Sequence, residues 1–153
     1  MYTIANFGIR NIELPITFAP MKKDIPSPTV ENVVMAIVPE EVDGQNVWQV
    51  VLVNLDIVPI TNVIVTSRGY GEINGEKRTT STLRHFYEKI PDLEFTRVEP
   101  IMENTFGLTN EYWVSFYIGE QVYDKKYVFL PEAINPKNFT PIPLLNVEGV
   151  MIR

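Results

Sequence analysis

The chain has no cysteine and a single histidine among its 153 residues. Without cysteine there are no disulfides, thiolate nucleophiles or cysteine-ligated zinc, a composition that suits a reducing, cytoplasmic setting better than a small secreted scaffold. With one histidine, His85 is the only imidazole available for general-base chemistry near neutral pH. No apolar stretch approaches the roughly 20 residues of a membrane-spanning helix, so no membrane partner is expected. The segment Met1 to Gly8 carries neither a basic n-region nor the continuous apolar run of a secretory signal. Lys and Arg number 13 against 19 Asp and Glu, a net charge of −6. That balance argues against a nucleic-acid partner, whose footprint is clustered basic charge.

Proline, by contrast, is plentiful. Its twelve positions fall almost entirely between apolar runs, where turn and strand-boundary prolines belong, and they interrupt any long helix. The runs between them are rich in Val, Ile, Thr, Tyr and Phe and have the length of strands. Seven strands are predicted: Asn32 to Val38, Val47 to Leu55, Ile60 to Ser67, Thr79 to Phe86, Leu93 to Met102, Glu111 to Ile118 and Gln121 to Leu130. Asp43-Gly44, Asn74-Gly75 and Gly119-Glu120 supply reversals that tolerate positive φ. This pattern implies an all-β antiparallel sandwich or barrel. Leu83, Phe86, Tyr87 and Ile90 also fit a helical spacing, but the β-branched Thr79 to Thr82 run before them favours extended structure.

The ends differ from the middle. Residues 1–28 form an extended, proline-bearing segment, and the Met21-Lys22-Lys23-Asp24 stretch reads as an ordinary protein start, which makes residues 1–20 a candidate upstream extension. Residues 29–153 are read as one domain. Its C-terminal tail from Pro131 is too apolar for a solvated linker and is expected to lie across the domain or against another chain.

A strand ending in Val53-Asn54, a short turn, the run Ile60-Thr61-Asn62-Val63-Ile64-Val65-Thr66 and a glycine-rich turn resemble the second and third strands of bacterial immunoglobulin-like domains. Leu83 to Pro100 is similar to their fourth and fifth. The resemblance spans residues 30–130 as a strand pattern without a Cys-Trp-Cys signature, and it implies an immunoglobulin-like antiparallel sandwich of about seven strands with proline-rich extended termini. More loosely, Met21 to Pro26, Thr80 to His85 and Tyr127 to Leu130 resemble short Bacteroidetes proteins labelled phenylalanyl-tRNA synthetase alpha subunit. A class II synthetase needs a much longer ATP-binding domain with arginine-bearing motifs, so synthetase activity is not expected of these residues.

No motif singles out a reaction, and no catalytic residue, metal ligand or cofactor is assigned. A Ser-His-Asp reading could recruit Ser67 or Ser81 with His85, but no G-x-S-x-G elbow accompanies them. Glu40 to Gly44 lacks the alternating spacing of a calcium loop. Gly69 to Thr79 misses Walker A, because three residues separate Gly71 from Gly75 and Glu76 precedes Lys77. It reads as a glycine-rich hairpin. From Arg68 to Arg97, six Lys and Arg face five acids, and Arg78, Arg84, His85 and Arg97 are candidate contacts for an anionic ligand or acidic partner.

The last hairpin is the most informative segment. A two-residue turn at Gly119-Glu120 sets Ile118 against Gln121 and Phe116 against Tyr123. Tyr112, Val114, Phe116, Ile118, Tyr123, Tyr127 and Phe129 then share the core face, and Trp113, Ser115 and Tyr117 lie beside Val122, Asp124 and Lys126 on the other. Trp113, Tyr117 and Lys126 are therefore candidate interaction residues. A one-residue change of turn length exchanges the faces, and the tail could also cover them. The expected function is a non-catalytic binding or protein-interaction module, working through this face or an open strand edge, with an unidentified protein or a second copy as partner. The alternatives are a small anionic-ligand binder or enzyme using Arg84 and His85 in a cleft, and a structural homodimer subunit.

Overall fold

A computed structural model describes residues 28–153; the N-terminal residues 1–27, with the candidate extension, lie outside the described residues. Ten strands follow in order: β1 (Val33–Val42), β2 (Gln45–Asn54), β3 (Ile60–Ile73), β4 (Glu76–Thr79), β5 (Leu83–Ile90), β6 (Glu94–Ile101), β7 (Thr109–Ile118), β8 (Gln121–Phe129), β9 (Thr140–Ile142) and β10 (Val147–Ile152). No α-helix occurs among the described residues, and hence none long and apolar enough to cross a membrane. The described residues are all-β, as the sequence predicts.

The strands form two antiparallel sheets. In the first, the order is β6-β2-β1-β10-β9. In the second, the long strand β3 pairs along one side with β5 and then β4, and along the other with β7, which carries β8. The sheets pack over a shared core in which Val33, Met35, Ile37 and Leu52 of the first meet Val65, Val114, Phe116, Tyr127 and Phe129 of the second. Tyr127 also donates its hydroxyl to the Val33 carbonyl across this space.

β1 is buried on both faces. Its alternate residues Val34, Ala36 and Val38 join Val51, Val53 and Ile142 in a second cluster on the outer side of the first sheet. This explains why Val33 to Val38 reads as continuous apolar sequence and not as alternation. Leu145, in the β9–β10 turn, packs against that cluster. The tail thus both enters the first sheet, through β10 beside β1, and covers part of its outer side. The close crossing requires a glycine: a Cβ on Gly149 would lie 2.5 Å from the Ile37 carbonyl oxygen and 2.7 Å from Val38 Cγ1.

Turn chemistry sets the hairpins. Asp43 and Gly44 both have positive φ, as do Asn74 and Gly75, the pattern of two-residue turns whose twist matches that of the strands. Gly69 to Thr79 is accordingly a hairpin, with β3 extending to Ile73 and β4 returning from Glu76. The next strand begins at Leu83, after a break at Thr80 to Thr82, and runs to Ile90, later than the span Thr79 to Phe86 predicted for it. The extended reading of this segment holds because pairing with β3 supplies its backbone partners.

The chain passes between the sheets at β2–β3, β5–β6, β6–β7 and β8–β9. Asn54, fully buried at the end of β2, ties two of these passages together. Its Nδ2 donates to the carbonyls of Val58 (3.0 Å), Ile90 (3.3 Å) and Pro91 (3.0 Å), and its Oδ1 accepts from the Asp56 amide. Asn54→Ala is expected to lower the unfolding free energy by about 3 kcal/mol, because buried carbonyls lose their donor. Gly149→Ala is expected to cost about 2 kcal/mol by overpacking against backbone. Urea titration of each variant measures both effects.

Candidate functional site

The last hairpin has the predicted register. Ile118 pairs with Gln121 and Phe116 with Tyr123 around Gly119-Glu120. Tyr112, Val114 and Phe116 are buried, while Trp113 is 51% exposed and Tyr117 is exposed on the outer side of the second sheet. The cross-strand rows show what lies beside them. One row runs Arg84, Thr66, Trp113, Lys126. The next runs Phe86, Ile64, Ser115, Asp124. Phe86 is 61% exposed and Ile64 is also open to solvent. An apolar patch of Trp113, Phe86, Ile64, Tyr117 and Val122 therefore covers the middle of this sheet.

Cations border the patch. Lys126 Nζ lies 5.1 Å from the centre of the Trp113 ring, and the Arg68 guanidinium lies 4.8 Å from that of Tyr70. Glu111, almost buried on the same side, accepts from Tyr70 and holds Arg68 at 3.4 Å and Lys126 at 3.8 Å. Arg84 is exposed and has no ion-pair partner among the described residues. Arg68, Arg84 and Lys126 outnumber Glu111 and Asp124 by one charge around Trp113, a small cationic excess in a chain that is acidic overall.

The four candidate anion contacts do not converge. Arg84 and His85 are successive residues of β5 and point to opposite faces, His85 inward with Val65 and Arg84 outward with Thr66. Arg78 is exposed on β4. Arg97 lies on β6 and donates through Nε and Nη2 to Glu40 of β1. Those hydrogen bonds, reinforced by the charge of Arg97, hold the Glu40 carboxyl below its ordinary value and raise the guanidinium in turn. The pair is exposed, so it contributes at most about 1 kcal/mol.

His85 instead belongs to a cluster between the sheets. Its Nε2 lies 2.6 Å from Glu99 Oε1, and Ser67 donates to the same oxygen at 2.9 Å. The order is hydroxyl, carboxylate, imidazole, and Ser67 directs its proton to the acid. In a nucleophilic triad the imidazole stands between the other two groups. Glu99 reaches this position through a β-bulge. On β6, Arg97 is opposite Val51 and Glu99 opposite Val50, so Val98 is an extra residue and Glu99 turns inward beside it. Simple alternation from Phe95 and Arg97, both on the outer side, would have left Glu99 outside as well.

Ser67 and Glu99 of this cluster line a cleft of about 190 Å3 between the β4–β5 break and the β6–β7 connection, with Arg68, Thr80, Asn110 and Tyr112 also in its walls. The hairpin register turns Tyr112 inward, but nothing in the sequence marks Glu99 for this place; the bulge that delivers it is invisible to strand periodicity. Phe86 was likewise obscured, by a spacing compatible with a helix. No group of three or more His, Asp or Glu side chains suited to a metal ion occurs among the described residues. No known protein family model and no curated protein matches the chain.

Burial raises the Tyr112 hydroxyl well above its ordinary value, with the charge of Glu99 adding to the effect, and burial alone does the same to Tyr127. In the folded state both therefore keep their protons above the pH, about 10, at which an unfolded tyrosine ionises. Stability contributed by the neutral hydroxyls is complete below pH ~10 and falls as the pH rises beyond it, by up to about 1.4 kcal/mol per pH unit for each tyrosine. Urea midpoints measured at increasing pH should show this decline. Tyr112→Phe is expected to make it shallower, and a slope unchanged in that variant would contradict the assignment.

Proposed function

We propose that the protein is a non-catalytic interaction module whose docking face is the outer side of the second sheet. Its partner is a protein surface that presents an apolar side chain among acidic residues. The observation that carries this reading is the row Arg84, Thr66, Trp113, Lys126, where an exposed indole is flanked on neighbouring strands by two cations. The apolar patch supplies area to remove from water, and indole and tyrosine rings are the side chains that most often dominate protein interfaces. The surrounding cations select a partner of opposite sign and speed its approach. The immunoglobulin-like resemblance enters the same proposal. Its support is the arrangement of two antiparallel sheets over one core, joined by hairpins and by passages between the sheets. The absence of cysteine supports placing such a module in the cytoplasm.

The test immobilises the full chain and the variants Trp113→Ala and Arg84→Glu, and compares the proteins each retains from lysate of cells that make it. A protein held by the wild type is expected to be lost from both variants and to elute as salt rises. Identical retention by all three overturns the reading. Trp113→Ala should itself lower stability by no more than about 1 kcal/mol, because the ring is half exposed. A loss of several kcal/mol would make Trp113 a packing residue and remove the observation on which the proposal stands.

A further inference from the structure

The cleft at Glu99 lies on the inner side of the sheet that carries the docking face, and most of its polar side chains direct their protons to the protein itself. Ser67 donates to Glu99, Thr80 to the Ser81 carbonyl and Thr105 to the Met102 carbonyl. Asn110 Nδ2 donates to the carbonyls of Thr105 and Leu108. Besides the Ser81 and Tyr112 hydroxyls, which donate to no described residue, lone pairs are what remain. Glu99 Oε2 and Asn110 Oδ1 accept from no described residue, and the carboxylate keeps its charge when the imidazole donates to it as a neutral ring.

Tyr112 provides an independent sign of a missing partner. It is 2% exposed and lines the cleft, yet its hydroxyl makes no hydrogen bond to any described residue. A tyrosine buried this deeply ordinarily has one. Leu83, Ile101 and Met102 add an apolar wall. The volume, about 190 Å3, corresponds to roughly six waters at ~30 Å3 each. Arg68 is also in the lining, but its guanidinium lies over the Tyr70 ring and against Glu111 on the outer side, which leaves Glu99 as the charge that faces the cleft. A partly apolar cleft of that size with free lone pairs and one carboxylate suits a ligand with several donors, a positive charge and a short aliphatic stem.

We infer that the cleft between the β4–β5 break and the β6–β7 connection binds a primary alkylammonium group, with Glu99 as counter-ion and Asn110 Oδ1 and the Tyr112 hydroxyl as further partners. An ammonium ion carries three donors, which match the free lone pairs of Glu99 Oε2, Asn110 Oδ1 and the Tyr112 hydroxyl oxygen. A guanidinium needs a planar fork of acceptors, and the cleft offers one carboxylate oxygen with separate neutral acceptors around it. The group could arrive on a free amine or on a lysine side chain; the chemistry at the cleft is the same.

The inference is independent of the docking face, and the experiment keeps the two apart. Full-length protein labelled with nitrogen-15 is titrated with n-butylammonium, with n-butanol, with cadaverine and with N-acetyl-lysine amide, and the amide resonances of Gly69, Thr80 and Asn110 are followed. n-Butylammonium is expected to shift them saturably at millimolar concentrations, and n-butanol is not. Tighter binding of cadaverine assigns the natural source to free amines, and tighter binding of the lysine derivative to a peptide side chain. Glu99→Gln should weaken binding by about tenfold or more through loss of a charge-assisted hydrogen bond, and Tyr112→Phe by about fivefold. Trp113→Ala should leave it unchanged. Absence of saturable shifts with n-butylammonium, or equal shifts with n-butanol, overturns the inference in the wild-type protein alone, whether or not the variants fold. Undiminished binding by a folded Glu99→Gln variant overturns it equally.

Discussion

The side-chain amide of Asn54 fixes the relation between the two sheets at the end where β2 stops. An antiparallel two-sheet protein must repeatedly carry its chain across the core, and each passage exposes backbone carbonyls that no ladder satisfies. One buried amide serves three of them, at Val58, Ile90 and Pro91, and receives the Asp56 amide in return. The Ile90 and Pro91 carbonyls belong to the link between β5 and β6. Those strands lie in different sheets, and they carry His85 and Glu99. The anchor that secures the passage therefore also holds the two strands whose side chains, His85 and Glu99, meet at 2.6 Å between the sheets. Hydrophobic burial supplies most of the driving force for packing the sheets, but it is non-directional. The amide makes the packing specific at this end.

How far a sequence reveals such an arrangement depends on whether the relevant geometry is local. The face assignment at Trp113 was legible because a two-residue turn and a period of two together determine it, and Gly119 provides the positive φ that the turn needs. The hairpin at Asn74-Gly75 was legible for the same reason. Glu99 was not. A bulge adds one residue to β6 without a composition of its own, and it reverses the facing of everything beyond it on that strand. The last strand was hidden differently. Prolines at 131, 136, 141 and 143 mark the tail as irregular, yet Val147 to Ile152 finds an unpaired side of β1 and completes the first sheet. That pairing spans more than a hundred residues of chain and has no local signal, apart from a glycine at the one point where β1 comes too close for a side chain.

Charge follows the same distinction between sum and placement. The net charge of −6 argued against a nucleic-acid partner for the chain as a whole, but charges act over distances of about 8–10 Å in physiological salt. Within that range the indole of Trp113 has Arg84 and Lys126 on the neighbouring strands, and the inner side of the same sheet meets Glu99. Arg97, counted with the basic middle of the sequence, belongs to neither, because its partner is Glu40 on the first sheet. The six basic residues between Arg68 and Arg97 thus describe no single surface once strands alternate and pass between sheets.

Strand alternation also places the two surfaces unusually close in sequence. On β7, Tyr112 points into the cleft and Trp113 onto the outer face; on β5, His85 points inward and Arg84 outward. Ser67 and Thr66 repeat the division on β3, the strand between them. Three adjacent strands therefore contribute consecutive residues to opposite sides of one sheet. Because the packed interior permits little independent movement of neighbouring backbone positions, a change in strand position or twist that widens the cleft must also alter the spacing of Arg84, Trp113 and Lys126. The positions are separable by side-chain substitution, since each side chain reaches only its own face. They are not separable by backbone changes in β3, β5 or β7. Substitutions to glycine or proline in these strands would perturb both surfaces at once, and only variants that preserve the backbone can distinguish what each surface does.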